Sequence, residues 1–269
     1  AFYQWMTPGA YTYAIPKAWR DLGIRRYGFH GASHKYIAER SAELLGRDDV
    51  AGRVRGLYVN GPGEFQGAPF RVLSCHLGGS SSVAGIRDGV AIGASMGFSP
   101  QSGLPQNNRV GDLDSMAIPY VGKMLGLSVE EAERQLNKES GLLGLSGVSN
   151  DSRDIEAAAA DGNEDARLAN EVMVESIRHW AGSFFFKMGG AEAIAFTAGI
   201  GENNASLRAA VCAGLEDLGV RIDPAANEKT IRGAEAVIST PDSRIKVLVI
   251  PANEELVIAR EVHRRIQAA

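Results

Sequence analysis

The sequence predicts an α/β fold in which helices flank a mixed β-sheet, and three observations support this prediction. Short apolar runs at 72–77, 82–86 and 90–92 are separated by tight turns, which indicates three consecutive antiparallel strands. A long stretch with helical periodicity follows these strands. Two further apolar strands, 193–197 and 246–250, then each lead into a helix. An antiparallel meander that continues in β-α units is typical of a mixed sheet covered by helices.

The segments around the strands are predicted from their apolar spacing. Residues 1–26 read as a loop and a short helix, 27–46 contain a helix that Ser33 can cap, and 53–70 read as a surface hairpin. Apolar residues recur at three- and four-residue steps from 165 to 188, which predicts one buried helix face: Ala169, Met173, Ile177, Trp180, Phe184 and Met188. The other predicted helices are 114–125, 128–136, 154–160, 205–218 and one that starts at Asn253.

Composition excludes several classes of protein. The chain has 269 residues, 45% of them hydrophobic, and a formal net charge of −4, so a folded core is expected and intrinsic disorder is not. An acidic balance argues against a nucleic-acid partner. The longest apolar stretch, 184–200, is interrupted by Lys187 and Glu192, which argues against a membrane span. Cys75 and Cys212 both lie in apolar surroundings, which predicts buried, reduced thiols in a cytoplasmic protein.

Two glycine-rich segments directly follow predicted strands. In the first, 78–80, the backbone N–H groups and serine hydroxyls suit a phosphate, although an ordinary hairpin turn has the same composition. The second, 198–203, ends a buried strand and opens a helix, so its glycines can accept a flat ring or a phosphate.

Four polar residues are candidates for chemistry, each with a structural alternative. His30 and His34 are four residues apart but lack a third ligand for zinc, so a phosphate-facing imidazole or a core histidine is favoured. Arg109 lies in a polar loop where it can brace a transferring phosphoryl group or simply be solvated. Glu254 precedes a helix, where it can stabilise the helix start or contact Mg²⁺.

Taken together, these segments resemble the acetate kinase family, which includes acetate and propionate kinases. Seven stretches occur in the family's order: 26–35, 76–78, 95–98, 136–144, 149–154, 196–203 and 251–255. The element order also resembles the ribonuclease-H-like half of the actin-type ATPases, which build a nucleotide cleft from two such halves.

The resemblance implies a transferase that uses ATP and Mg²⁺ to phosphorylate a short-chain carboxylate reversibly, giving ADP and an acyl phosphate. It implies that His30 and Arg109 are catalytic, that Phe29 and Pro100 line the acyl pocket, and that Glu254 helps to hold the metal. The implied nucleotide-binding residues are His76, Gly78, Gly79, Asp151, Ser152, Arg153, Gly199, Ile200, Gly201 and Asn203. The alternatives are a nucleotide-binding regulatory module and another actin-fold kinase, for butyrate or sugars.

The resemblance also predicts how the chain is organised. Residues 1–252 are expected to form the C-terminal nucleotide-binding domain of such an enzyme, with 1–26 as a lead-in from the interdomain region. Residues 253–269 are expected to form a helix that packs on a missing N-terminal half, and the enzyme is expected to be a homodimer. The sequence departs from the family pattern at Gly79 and at Asn107 and Asn108, and the resemblance leaves open whether acetate or propionate is preferred.

Overall fold

A computed structural model describes residues 1–267, and within this range a six-stranded mixed sheet forms the centre of the molecule. The strands are β1 (Arg71–Leu77), β2 (Ser81–Arg87), β3 (Val90–Ala94), β4 (Ala193–Thr197), β5 (Ala236–Val237) and β6 (Lys246–Val249). Their order across the sheet is β3-β2-β1-β4-β6-β5. The first three pair antiparallel, whereas β1, β4 and β6 run parallel to one another. The predicted meander and the two later strands are confirmed.

The helices cover both faces of this sheet. They are α1 (Pro8–Tyr11), α2 (Lys17–Asp21), α3 (Gly31–Leu44), α4 (Asp48–Asn60), α5 (Ala117–Leu125), α6 (Val129–Lys138), α7 (Gly141–Ser146), α8 (Ser152–Ala160), α9 (Glu164–Met188), α10 (Ala198–Asn203), α11 (Ala205–Cys212), α12 (Pro224–Lys229) and α13 (Glu254–Gln267). Of residues 1–267, no helix has the length and apolar character that crossing a membrane requires.

Alternation along β1 divides the core into two layers. Leu73, Cys75 and Leu77 pack in the layer that contains the buried face of α9. Val72 packs in the opposite layer, which contains α3 and α4. This separation follows from the two-residue period of a strand. The predicted buried face of α9 is confirmed except at Trp180, which is only half-buried, and both cysteines are buried as predicted.

The predicted hairpin at 53–70 is wrong, because most of its first half is helical. In α4, Val50, Val54 and Leu57 recur at helical spacing and are fully buried. The helix ends where Gly61 adopts a left-handed φ of 67°. The helix predicted over 205–218 is also shorter than expected: α11 ends at Cys212, and a short 3-10 turn follows at Glu216–Leu218.

The last helix, α13, packs against α3 of this chain. Arg260 donates to Glu39 at 2.8 Å, and Lys35 donates to Glu261 at 3.3 Å. The apolar positions Ile258, Val262 and Ile266 are exposed. Packing of 253–269 on another domain stays a prediction, and residues 268–269 lie outside the described residues.

Candidate functional site

Three of the predicted functional segments meet at one edge of the sheet. Because β1, β4 and β6 are parallel, their carboxyl ends lie together. Gly78 and Gly79 follow β1, Gly199 follows β4, and Glu254 begins the helix after β6. In open sheets of parallel strands, ligands bind beyond the carboxyl ends. This edge is therefore the candidate site.

A groove of about 770 Å³ opens at this edge, beside β1 and β4. It is lined by eight of the predicted nucleotide-binding residues: Gly78, Gly79, Asp151, Ser152, Arg153, Gly199, Ile200 and Asn203. They come from separate segments of the chain, so the fold brings together what the sequence only suggested. The groove is also lined by Asn107 and Arg232, which the sequence interpretation missed.

Gly199 and Gly201 occupy different environments. Gly199 is exposed in the groove, and a Cβ at this position would meet no heavy atom of residues 1–267 within 4 Å. Gly201 is buried behind the groove wall, and a Cβ there would lie 3.4 Å from the Phe196 backbone and 3.6 Å from Leu77. Gly201 therefore packs against the core and does not face the groove.

Asp151 begins α8 at the far side of the groove. Its carboxylate accepts from the Arg153 backbone N–H at 2.9 Å, which satisfies a helix N-terminal donor. The Arg153 guanidinium also donates to it at 2.5 Å, and these bonds lower the pKa of Asp151 to about 2. The groove thus carries a fixed carboxylate with a partly neutralising cation.

A network of histidines and serines lies next to the groove, below the turn after β1. His30 Nδ1 is 2.9 Å from Ser82 Oγ, and His34 Nε2 is 2.8 Å from the same oxygen. His34 Nδ1 is 2.8 Å from Ser74 Oγ, so His34 is a fully buried histidine with both ring nitrogens satisfied. His76 stacks on His30 with the ring centroids 4.0 Å apart.

Ser33 belongs to this network and does not cap α3. His30 occupies the N-cap position, with a φ of 57°, and Ser33 Oγ lies 2.8 Å from His76 Nδ1. The left-handed conformation at His30 is uncommon for a residue with a side chain and often marks a functional position.

Burial makes all three imidazoles neutral at physiological pH. Burial and, to a smaller extent, the charge of Arg109 together lower the pKa of His30 from 6.5 to about 4. Burial and His30 together lower the pKa of His76 to about 3. The pKa of His34 is also well below its usual value, chiefly through burial. Within residues 1–267, no group of three or more His, Cys, Asp or Glu side chains is arranged to hold a metal ion.

The loop that carries Arg109 is fixed by the start of α7. The Leu142 N–H donates to the Gln106 carbonyl at 2.8 Å, and the Leu143 N–H donates to the Asn107 carbonyl at 2.9 Å. This approach requires Gly141, whose φ is 63° and whose missing Cβ would lie 2.6 Å from the Arg109 carbonyl. The Arg109 guanidinium itself donates to Gln106 Oε1 at 3.2 Å.

The two predicted acyl-pocket residues lie on neighbouring segments. The backbone N–H of Tyr27 donates to the Gly97 carbonyl at 2.9 Å, which joins the segment of Phe29 to that of Pro100. The Phe29 carbonyl accepts from the Tyr3 hydroxyl at 2.8 Å. Glu254 Oε1 lies 3.9 Å from His76 Nδ1, and the Glu254 side chain is 41% exposed.

Comparisons with known proteins point in one direction. The model of the Acetokinase family matches residues 1–61 and 63–260. The chain is 48% identical over 265 residues to an acetate kinase of Geobacillus kaustophilus, covering 98% of this chain and 62% of that protein. It is 42% identical over 268 residues to an acetate kinase of Methanosarcina thermophila, covering 99% of this chain and 61% of that protein.

Solved structures give the same result. The acetate kinase of Porphyromonas gingivalis has a TM-score of 0.87 at 37% identity, over 97% of this chain and 61% of that one. A propionate kinase from Francisella tularensis has a TM-score of 0.83 at 35% identity, over 97% of this chain and 62% of that one. The predicted actin-like fold is thereby confirmed, and the chain spans about three fifths of the length of these relatives.

Proposed function

The chain belongs to the acetokinase family, and on this premise we propose that it contributes to a kinase that transfers the γ-phosphoryl group of ATP reversibly to a short-chain carboxylate. The similar proteins are kinases named for acetate and propionate. This favours a carboxylate acceptor over the sugar-kinase and regulatory alternatives. The observation that carries the proposal is the convergence of the groove, the histidines and Arg109 at one sheet edge.

The nucleotide would lie along the groove. Gly199 leaves open space for a flat ring, and Asp151 offers a carboxylate within the same groove that can accept a ribose hydroxyl. The phosphates would extend toward Gly78 and Gly79, where backbone N–H groups can approach them closely.

The carboxylate substrate needs no general base, because a carboxyl group is already ionised at neutral pH. The site accordingly has to bring two anions together and stabilise the phosphoryl group during transfer. Arg109 supplies a permanent positive charge for this purpose. Phe29 and Pro100 would line the pocket for the short acyl chain, on the segments joined through Tyr27 and Gly97.

His30 would act as a neutral hydrogen-bond donor. The distances permit a directed chain in which the Ser74 hydroxyl donates to His34 Nδ1, His34 Nε2–H donates to Ser82, and Ser82 donates to His30 Nδ1. The proton of His30 then resides on Nε2, the remaining ring nitrogen. Phosphoryl oxygens accept hydrogen bonds, so a bound phosphoryl group would select this direction of the chain.

Mg²⁺ is expected to enter with the nucleotide, where it would shield the phosphate charges. Magnesium is usually bound by one or two carboxylates together with substrate phosphates and water. A single half-exposed carboxylate, Glu254, fits that role better than a resident metal site. An actin-type cleft forms between two halves, so we further propose that a second half closes over the groove. Homodimer formation stays a prediction.

The test is acyl phosphate formation by the natural protein that carries this chain. ATP, Mg²⁺ and acetate or propionate should give an acyl hydroxamate when hydroxylamine is added. Arg109→Ala should lower kcat roughly 10³-fold, because its charge acts chiefly in the transition state. A wild-type protein that forms no acyl phosphate from either acid would refute the proposed function.

A further inference from the structure

Gln106 is a buried polar side chain to which neither the sequence patterns nor the proposed reaction assigns a role. It lies in the loop of Arg109 and is 1% exposed. Within the described chain its amide makes three hydrogen bonds. Gln106 Oε1 accepts from Ser80 Oγ at 2.8 Å and from Arg109 Nη1 at 3.2 Å. Its Nε2 donates to the Pro100 carbonyl at 2.5 Å.

These partners fix a single orientation of the amide. A guanidinium can only donate and a carbonyl can only accept, so Arg109 and Pro100 independently require the same assignment of oxygen and nitrogen. The Ser80 hydroxyl must then donate to Oε1. A buried amide with its partners in agreement resists rotation, because a flip would place Nε2 against the guanidinium and Oε1 against a carbonyl.

The three partners come from three parts of the proposed site. Ser80 lies in the turn that would hold phosphates, Pro100 would line the acyl pocket, and Arg109 would supply the positive charge, and all three are bonded to the Gln106 amide. We propose that Gln106 is a positioning residue that holds the Arg109 guanidinium at a fixed place between the phosphate turn and the acyl pocket. This inference rests on the proposed function.

The neutrality of Gln106 matters as much as its geometry. A carboxylate in the same place would form a stronger bond to Arg109 but would compensate its charge. An amide oxygen restrains the guanidinium and leaves its full positive charge for the substrate anions. Gln106 would act through Arg109, since its side chain is buried and its amide oxygen already accepts two hydrogen bonds from protein donors.

The test is a double-mutant cycle in the natural protein that carries this chain. Gln106→Met keeps a similar length and removes the hydrogen bonds. It should lower kcat about 10²-fold, the effect of a displaced catalytic group, while the KM for ATP changes less than threefold. In an Arg109→Ala background the same substitution should change kcat less than threefold, because the group that it positions is already absent. Gln135→Met, on α6, is the matched control and should leave kcat within twofold of wild type.

Each outcome bears on the inference. Equal losses of kcat from Gln106→Met in the wild-type and Arg109→Ala backgrounds would show a packing role and overturn it. Should Gln106→Met lose its cooperative thermal transition, Gln106→Glu takes its place in the same cycle, and its kcat should fall at least tenfold through charge compensation. A kcat for Gln106→Glu near that of wild type would also overturn the inference. A wild-type protein without turnover would refute the proposed function and this inference together, whereas additive effects in an active enzyme refute only the inference.

Discussion

Replacing Gly199 by valine should separate nucleotide binding from folding. The residue is exposed, and a Cβ would meet no atom of the described chain within 4 Å. Gly199 lies within α10 and is not among the glycines with a positive φ. Glycine costs about 1 kcal/mol relative to alanine in a helix, and valine costs somewhat less. We therefore expect the free energy of unfolding to change by less than about 1 kcal/mol.

The same substitution should weaken nucleotide binding. Valine would place three carbon atoms in the part of the groove proposed for the adenine ring. We expect the Kd for ADP to rise at least tenfold, which corresponds to about 1.4 kcal/mol. Isothermal titration calorimetry would measure the Kd, and thermal melts would follow stability.

A matched control is Gly52→Val. Gly52 is an exposed glycine of α4, and a Cβ there also meets no atom of residues 1–267 within 4 Å. Its ADP affinity should equal that of wild type. If Gly199→Val binds ADP as tightly as wild type, the ring lies elsewhere. If folded wild-type protein binds no ADP at millimolar concentration, the assignment of the groove itself is wrong.

Two further predictions concern the loop beside the groove and the buried histidines. Gly141→Ala should lower the free energy of unfolding by at least about 2 kcal/mol and impair turnover, because the added Cβ would collide with the Gln106 carbonyl at a left-handed φ; urea unfolding that matches wild type would contradict this. Burial lowers the pKa of His30 from 6.5 to about 4 and that of His76 to about 3, and His34 shifts in the same direction. The unfolded chain therefore takes up protons first, so the stability that these groups provide is complete above pH 6.5 and is lost as the pH falls from 6.5 toward 4. When the free energy of unfolding, measured with urea, is plotted against pH, each imidazole should add up to about 1.4 kcal/mol per pH unit to the slope in this range. His30→Asn should reduce that slope.

Much of the fold could be predicted because its elements have strong local patterns. β1 and β2 are short, apolar and joined by a tight turn, and α9 repeats its apolar residues over 25 positions. The hairpin prediction at 53–70 failed for a local reason as well. The turn residues after Asn60 favour a hairpin, whereas the helical spacing of Val50, Val54 and Leu57 before them favours the helix that forms.

The site was predictable only in part, because several of its contacts join distant segments. The glycine turns and Arg109 stand in recognisable motifs. Ser33 looks like a helix cap in the sequence, but its partner is His76, 43 residues away. Gln106 reads as one more polar loop residue until the fold brings Ser80 against its side chain. Such residues gain their role from tertiary contacts that no periodicity encodes.

The electrostatics of the site explain why the position of one arginine should matter so much. Two unit negative charges 4 Å apart repel by about 4 kcal/mol at an effective dielectric constant near 20. The proposed reaction brings a carboxylate and a phosphoryl group to such a distance, and the nearby histidines carry no charge at neutral pH because burial lowers their pKa values. In the proposed reaction Arg109 would offset this repulsion, and its benefit would fall as it moves away from either anion. A neutral, buried partner such as Gln106 restrains that charge without reducing it, which is the electrostatic requirement for joining two anions.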